Sequence, residues 1–269
     1  MRRLLGRSVL PVVNTVICLF IVAPIVVAIG SSFTTTSFYA FPPKGISLKW
    51  YDALFHNDAL MQAAVVTLKV GLLATLLATL LGVPAAIGLT RARPAVRAVL
   101  NGVLLAPLLV PAIVAGIGML IVFSKVGLTG TFKGIVLAHT VMVMPYVVLV
   151  VYSGLQALDR SAEDAARSLG AGPVRAFCEI SLPALRPSLI AAMLFAFIAS
   201  LDETVVTLFL VGPTTSTLPV SLFHYIQYSA DPTPAALATV LIVVTAVVLF
   251  TIDRLVGLGR VAARGGVAQ

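Results

Sequence analysis

Six long apolar blocks, at about 9–30, 62–90, 98–123, 134–157, 187–211 and 235–257, constrain this chain more than any other feature. Each reaches or exceeds the roughly 20 residues that an α-helix needs to cross about 30 Å of hydrocarbon. In lipid, backbone N–H and C=O groups must be satisfied within the chain, which leaves helices and closed barrels. The blocks lack the dyad alternation of barrel strands. The pattern therefore predicts an all-α membrane protein with six transmembrane helices. Of the 269 residues, 59% are hydrophobic and 10% charged, too few charges to solvate a soluble domain of this length. The whole chain, 1–269, reads as a single transmembrane domain. The first block is longer than a signal-peptide core and lacks a small-residue cleavage site, so it is expected to be a retained span.

The net charge of +8 could suggest nucleic acid, but its distribution argues for an orientation device. With the N-terminus inside, Arg2, Arg3, Arg7, Arg91, Arg93, Arg97, Arg160, Arg167, Arg175, Arg186, Arg254, Arg260 and Arg264 all fall on the cytoplasmic side. Only Lys44, Lys49, Lys125 and Lys133 fall outside. That bias predicts both termini in the cytoplasm. Lys69 lies within the second span and is expected to snorkel to the surface. Two cysteines, Cys18 and Cys178, fall in different compartments, so no disulfide is expected. They and three scattered histidines make no metal site. Prolines inside the blocks, Pro24, Pro84, Pro107, Pro111 and Pro145, are expected to bend their helices.

One polar stretch on the cytoplasmic side is both long and organised: residues 159–187, between the fourth and fifth blocks. Ser161 and Asp164 have the spacing of a capping box, which would start a helix. Ala162 to Leu169 favour helix, and Gly170 supplies a stop that tolerates positive φ. Gly172-Pro173 restarts a second short helix, with Pro173 suited to its first position. Ile180, Leu182 and Pro183 are expected to end that unit, and Pro187 to open the next span. Ala165, Ala166 and Leu169 then form a small, smooth apolar face that fits a groove on a partner. The same segment could lie on membrane lipid, but an alanine-rich face buries little area there.

Asp202 and Glu203 are the second informative feature. They fall about fifteen residues into the fifth span, roughly 22 Å along a continuous helix. A carboxylate near the bilayer centre costs at least about 2.5–3.5 kcal/mol. Helical neighbours point about 100° apart, so one is expected to face a cavity and the other to brace a neighbouring helix. The functional reading is a translocation pathway that attracts a cationic solute; the structural one is a hydrogen-bonding pair that anchors packing. His139 and Thr140 are read as hydrogen-bonding residues of the bundle, without assigned chemistry. No nucleotide-binding G-x-x-x-x-G-K-[ST] loop appears. Gly127 to Gly134 lacks the G-K-[ST] ending, and no catalytic constellation is present. The chain is not expected to be an enzyme.

The spacing Asp164-Ala165-Ala166, Gly170, Ile180, Leu182-Pro183 resembles the EAA loop of the permease subunits of type I ABC importers. Asp164 stands where that family most often has Glu, with Glu163 just before it. Segments Gly127 to Thr140, Met144-Pro145-Tyr146 and Ser200 to Val206 resemble the second, C-type permease of the spermidine/putrescine branch. The resemblance implies a multi-pass subunit of a bacterial inner membrane, forming half of a pathway completed by a homologous permease. It implies two ATP-binding subunits on the cytoplasmic side, carrying the ATP and magnesium, which dock on the 159–187 loop. It also implies an external solute-binding protein, and a polyamine or related small organic solute. The competing reading is an ion-coupled secondary carrier using Asp202 and Glu203. Such carriers usually show inverted repeats, and none is evident.

Overall fold

The structure is a computed structural model describing residues 2–159, 161–212 and 215–256, with side chains described over 11–159, 161–212 and 215–247. Arg160, Arg260 and Arg264 lie outside the described residues. The chain opens with α1 (Arg2–Ser32), α2 (Lys49–Phe55), α3 (Asp58–Arg91), α4 (Pro94–Leu109), α5 (Ala112–Lys125) and α6 (Phe132–Ala157). Next come α7 (Ser161–Ser168), α8 (Pro173–Ala176), a π-helical turn over Phe177–Ser181, and α9 (Leu182–Ala184). The remainder is α10 (Arg186–Asp202), α11 (Val205–Leu208), α12 (Leu218–Tyr228) and α13 (Thr233–Val256). Among the described residues there is no β-strand, only one isolated bridge between Gly212 and Thr215.

Three apolar helices are long enough to cross a bilayer unbroken: Pro11–Ser32, Asp58–Arg91 and Phe132–Ala157. Two other blocks are broken: the first at Pro111, one of the prolines expected to bend its helix, the second where no proline marks it. The 98–123 block divides into α4 and α5, which meet at 101°. Val110 is extended there, with φ −81° and ψ 131°. The following Pro111 disfavours the helical region for the residue before it. Pro24, Pro84 and Pro145, in contrast, sit inside continuous helices. The 187–211 block is not one helix either. Its helix ends at Asp202, and a second short helix begins at Val205. The β-branched run Thr204-Val205-Val206 is a weak helix former.

The chain separates into two compact units, 1–61 with 222–269 and 62–221. In the first, α1 and α2 pack on α13. Trp50 Nε1–H donates to the Thr34 carbonyl at 2.9 Å, and the Tyr51 and Ser32 hydroxyls meet at 2.7 Å. These two aromatics thus tie down the end of α1. Asp231 caps α13, its Oδ1 accepting the Thr233 N–H at 2.8 Å while Oδ2 accepts the Tyr225 hydroxyl at 2.8 Å.

In the second unit, α6 is the central element. One buried cluster joins Ala78 and Ala86 of α3, Val143, Val147, Val151 and Leu155 of α6, Leu185, and Ala192 and Ala196 of α10. Another joins Val70 of α3, Ile135, Val136 and Ala138 of α6, Val206 of α11, and Leu210. The segment Gly127–Gly134 is a turn that caps α6: Thr131 Oγ1 accepts the Gly134 N–H at 3.0 Å.

Candidate functional site

Two regions of the second unit carry the residues singled out from sequence. The first is the 159–187 loop. Its opening helix α7 does not start with the expected capping box, because Ser161 is already its first residue. Instead Asp159 Oδ1 accepts the Ser161 N–H at 2.9 Å. Hydrogen bonds from Ser161 hold the Asp159 carboxyl below its ordinary range. At the other end the chain turns through Gly170 at φ +94°. The Gly170 N–H bonds the Arg167 carbonyl at 3.1 Å and the Ala171 N–H bonds the Ala166 carbonyl at 3.0 Å, which together make a Schellman cap. A Cβ at Gly170 would meet nothing within 4 Å, so only the backbone conformation calls for glycine there.

The return half of the loop differs from the expected second helix. Ile180, Leu182 and Pro183 do not end it. The helix loosens into the π turn at Phe177–Ser181, continues through Ala184, and bends by 67° into α10. Pro183 has no N–H to give the Glu179 carbonyl four residues back, so regular α-bonding cannot run through this point. Phe177 packs against the first buried cluster and Leu185 belongs to it, with 1% of its surface exposed. Ser181 donates from Oγ to Glu163 Oε2 at 2.5 Å, tying α7 to the π turn.

These contacts sort the candidate docking residues. Asp164, Ala165, Leu169 and Gly170 are exposed, Leu169 at 90%, and Ala166 is half-buried. Ile180, Leu182 and Pro183 are half-buried in the return segment. Glu163, not singled out from the sequence, is the internal brace, while Asp164 beside it is exposed. A cleft of about 320 Å³ behind α7 is lined by Arg91, Leu155, Glu163, Asp164, Arg167 and Phe177, among others.

The second region is the break at Asp202–Thr204. Glu203 is extended, with φ −68° and ψ 102°. Its carboxylate Oε1 accepts the Val206 N–H at 2.9 Å, so Glu203 caps α11. Asp202 is exposed at the C-terminal end of α10. The two carboxylates therefore do not diverge from one continuous helix, as expected, but sit on the two sides of a helix end. Next to the break, His139 of α6 is buried, with 1% exposed. Its Nδ1 lies 2.7 Å from Ser200 Oγ on α10 and its Nε2 lies 2.8 Å from Thr207 Oγ1 on α11. On the far side α11 lies against α5, where a Cβ on Gly116 would come within 2.5 Å of the Phe209 ring. Only glycine allows that approach. Among the described residues, no cluster of His, Cys, Asp or Glu could hold a metal.

Comparison with known proteins places this architecture. The chain belongs to the family of binding-protein-dependent transport system inner membrane components, which matches residues 78–258. It is thus a membrane permease subunit of an ABC importer, and the ion-coupled carrier reading is not favoured. It is 33% identical to the spermidine/putrescine transport system permease protein PotC of Haemophilus influenzae over 230 residues, 86% of this chain and 89% of the relative. To the putrescine transport system permease protein PotI of Escherichia coli K12 it is 34% identical over 238 residues, 86% and 84% of the two chains. A bacterial alginate ABC transporter, solved with an alginate pentasaccharide-bound periplasmic protein, superposes with a TM-score of 0.69 at 15% identity over 94% of each chain. That likeness concerns the fold.

Proposed function

We propose that this chain forms half of the translocation pathway of an ATP-driven polyamine importer, with Asp202 as the pathway carboxylate. The observation that carries the reading is the exposed Asp202 at the C-terminal end of α10. A helix C-terminus bears partial negative charge from its unpaired carbonyls. The Asp202 carboxylate adds a full charge at the same place, which suits an ammonium group. Glu203 is engaged in capping α11. The polyamine-transporting names of PotC and PotI support the same solute class.

In this reading the chain crosses the inner membrane six times with both termini in the cytoplasm. The other half of the pathway comes from a homologous permease subunit. Two ATP-binding subunits, holding ATP and magnesium, grip the 159–187 loop at Asp164, Ala165, Ala166, Leu169 and Gly170. A solute-binding protein delivers cargo from outside. Closure of the ATP-binding subunits displaces α7. The Glu163–Ser181 bond passes that displacement to the π turn, and Phe177 and Leu185 carry it into the α6–α10 core. Close-packed interiors transmit strain, and α10 ends at Asp202. The test is uptake of labelled spermidine by the complete complex in proteoliposomes. ATP-dependent uptake that Asp202→Asn weakens, with the complex still assembled, supports the reading. Uptake driven by an ion gradient without ATP, or unaffected by Asp202→Asn, overturns it.

A further inference from the structure

We infer that His139 is a positioning residue for the Asp202 carboxylate, acting through a directed chain of hydrogen bonds that fixes the break in the fifth span. The inference rests on the pathway reading above for its transport readout and on geometry alone for its labelling readout. The direction of the chain follows from proton inventory. Thr207 Oγ1 donates to the Glu203 carbonyl at 2.9 Å. A hydroxyl has a single proton, so toward the imidazole this oxygen accepts, and Nε2 carries the hydrogen. In a neutral ring Nδ1 is then the acceptor, and Ser200 Oγ donates to it at 2.7 Å. The chain runs from Ser200 through His139 and Thr207 to the carbonyl of Glu203, the residue at which α10 stops.

Every side chain in this chain is buried: Ser200 and His139 are 1% exposed and Thr207 0%. Water does not compete, and removing one member leaves a buried polar atom without its partner. The ring touches both sides of the break, one nitrogen toward α10 and the other toward α11. It therefore sets the separation of the two helix ends, which an apolar side chain of similar volume would leave unspecified. Asp202 lies within that clamped interval, two residues after Ser200. Its own main-chain carbonyl accepts the Thr204 hydroxyl at 3.1 Å, which keeps the turn closed. The carboxylate makes none of these bonds. Its place is decided by the backbone that they hold.

The experiment uses the complete complex in proteoliposomes with labelled spermidine. Thr207→Val keeps side-chain volume and removes the hydroxyl, and Thr207→Ser restores it. Loss of one buried hydrogen-bonding partner should raise the KM of Thr207→Val about tenfold with little change in kcat, and Thr207→Ser should lie within about twofold of wild type. His139→Leu should add no further change in KM to Asp202→Asn, because a residue acting through another is non-additive with it. Independently of solute, Asp202→Cys in a Cys18→Ser, Cys178→Ser background reports the carboxylate position by its rate of reaction with a membrane-impermeant maleimide. Thr207→Val should shift that rate severalfold and Thr207→Ser should not. Wild-type KM and labelling in Thr207→Val overturn the inference, as do additive effects of His139→Leu and Asp202→Asn. A wild-type complex that takes up no spermidine sinks the polyamine reading, while the labelling arm still decides the role of His139.

Discussion

The loop at 159–187 and the break at 202–204 are both interruptions between helices, yet they are held in different ways. The loop is shaped by bonds between near neighbours: Asp159 to Ser161, Gly170 to Arg167, Ala171 to Ala166. Its longest tie, Glu163 to Ser181, spans 18 residues. The break has local bonds too, but it is also tied from outside its own segment, by His139, which lies 61 residues from Ser200 and 68 from Thr207. In the proposed reading the locally capped loop moves as one piece on a base rooted by Phe177 and Leu185. In the same reading the buried ring keeps the Asp202 carboxylate at one place beside the pathway.

The largest effect expected from this contrast is on assembly. Ala165→Glu puts a long charged side chain on the exposed face of α7. The ATP-binding subunits should no longer co-purify and uptake should be lost, while the thermal transition of the permease stays put. Retained co-purification would remove Ala165 from the docking face. The two carboxylates at the break should separate next. Asp202→Asn should raise KM without changing stability. Glu203→Gln, weakening the charged cap on α11, should lower stability by about 1 kcal/mol in thermal unfolding. Reversed outcomes would exchange the roles assigned to the pair.

Within the loop, Glu163→Ala should destabilise by about 1–3 kcal/mol, since Ser181 is buried and loses its partner, whereas Asp164→Ala should leave unfolding unchanged. Equal effects would mean that both acids face inward. The smallest change belongs to the exposed Arg175–Glu179 pair at 2.9 Å. Arg175→Ala should alter stability by no more than about 0.5 kcal/mol, and a larger shift would show that the pair is not simply solvated. A pH series adds a control from the first unit. Burial acts to raise the Asp231 pKa, but hydrogen bonds from Thr233 and Tyr225 outweigh it and leave the carboxyl below its usual range. Its stabilising contribution is thus present above the unfolded-state pKa and lost as pH falls through the depressed one. The deficit of Asp231→Asn against wild type should shrink in acid.

The stop at Gly170 was legible in the sequence because its signal is local. Gly170 marks a positive φ that glycine adopts without strain, and it is found at φ +94°. The long apolar blocks likewise announced helices, since hydropathy and backbone satisfaction in lipid leave few choices. Other features were hidden. Nothing in the spacing distinguished Glu163 as the brace from Asp164 beside it, because which one faces inward depends on where Ser181 comes to rest. The π turn could have been suspected from Pro183, whose missing N–H interrupts the bonding ladder, but not located.

What the sequence determined by itself is the helical, membrane-spanning character, the helix stop at Gly170, and membership of the importer family. Length, apolarity and fixed spacing of small residues suffice for these, because each acts over a few turns of chain. Only the tertiary structure decided that the fifth block breaks at Asp202, so that Glu203 caps α11 while Asp202 stays exposed. The hydrogen bonds of His139 join residues remote in sequence, and a period of hydrophobicity carries no record of which distant polar groups will meet.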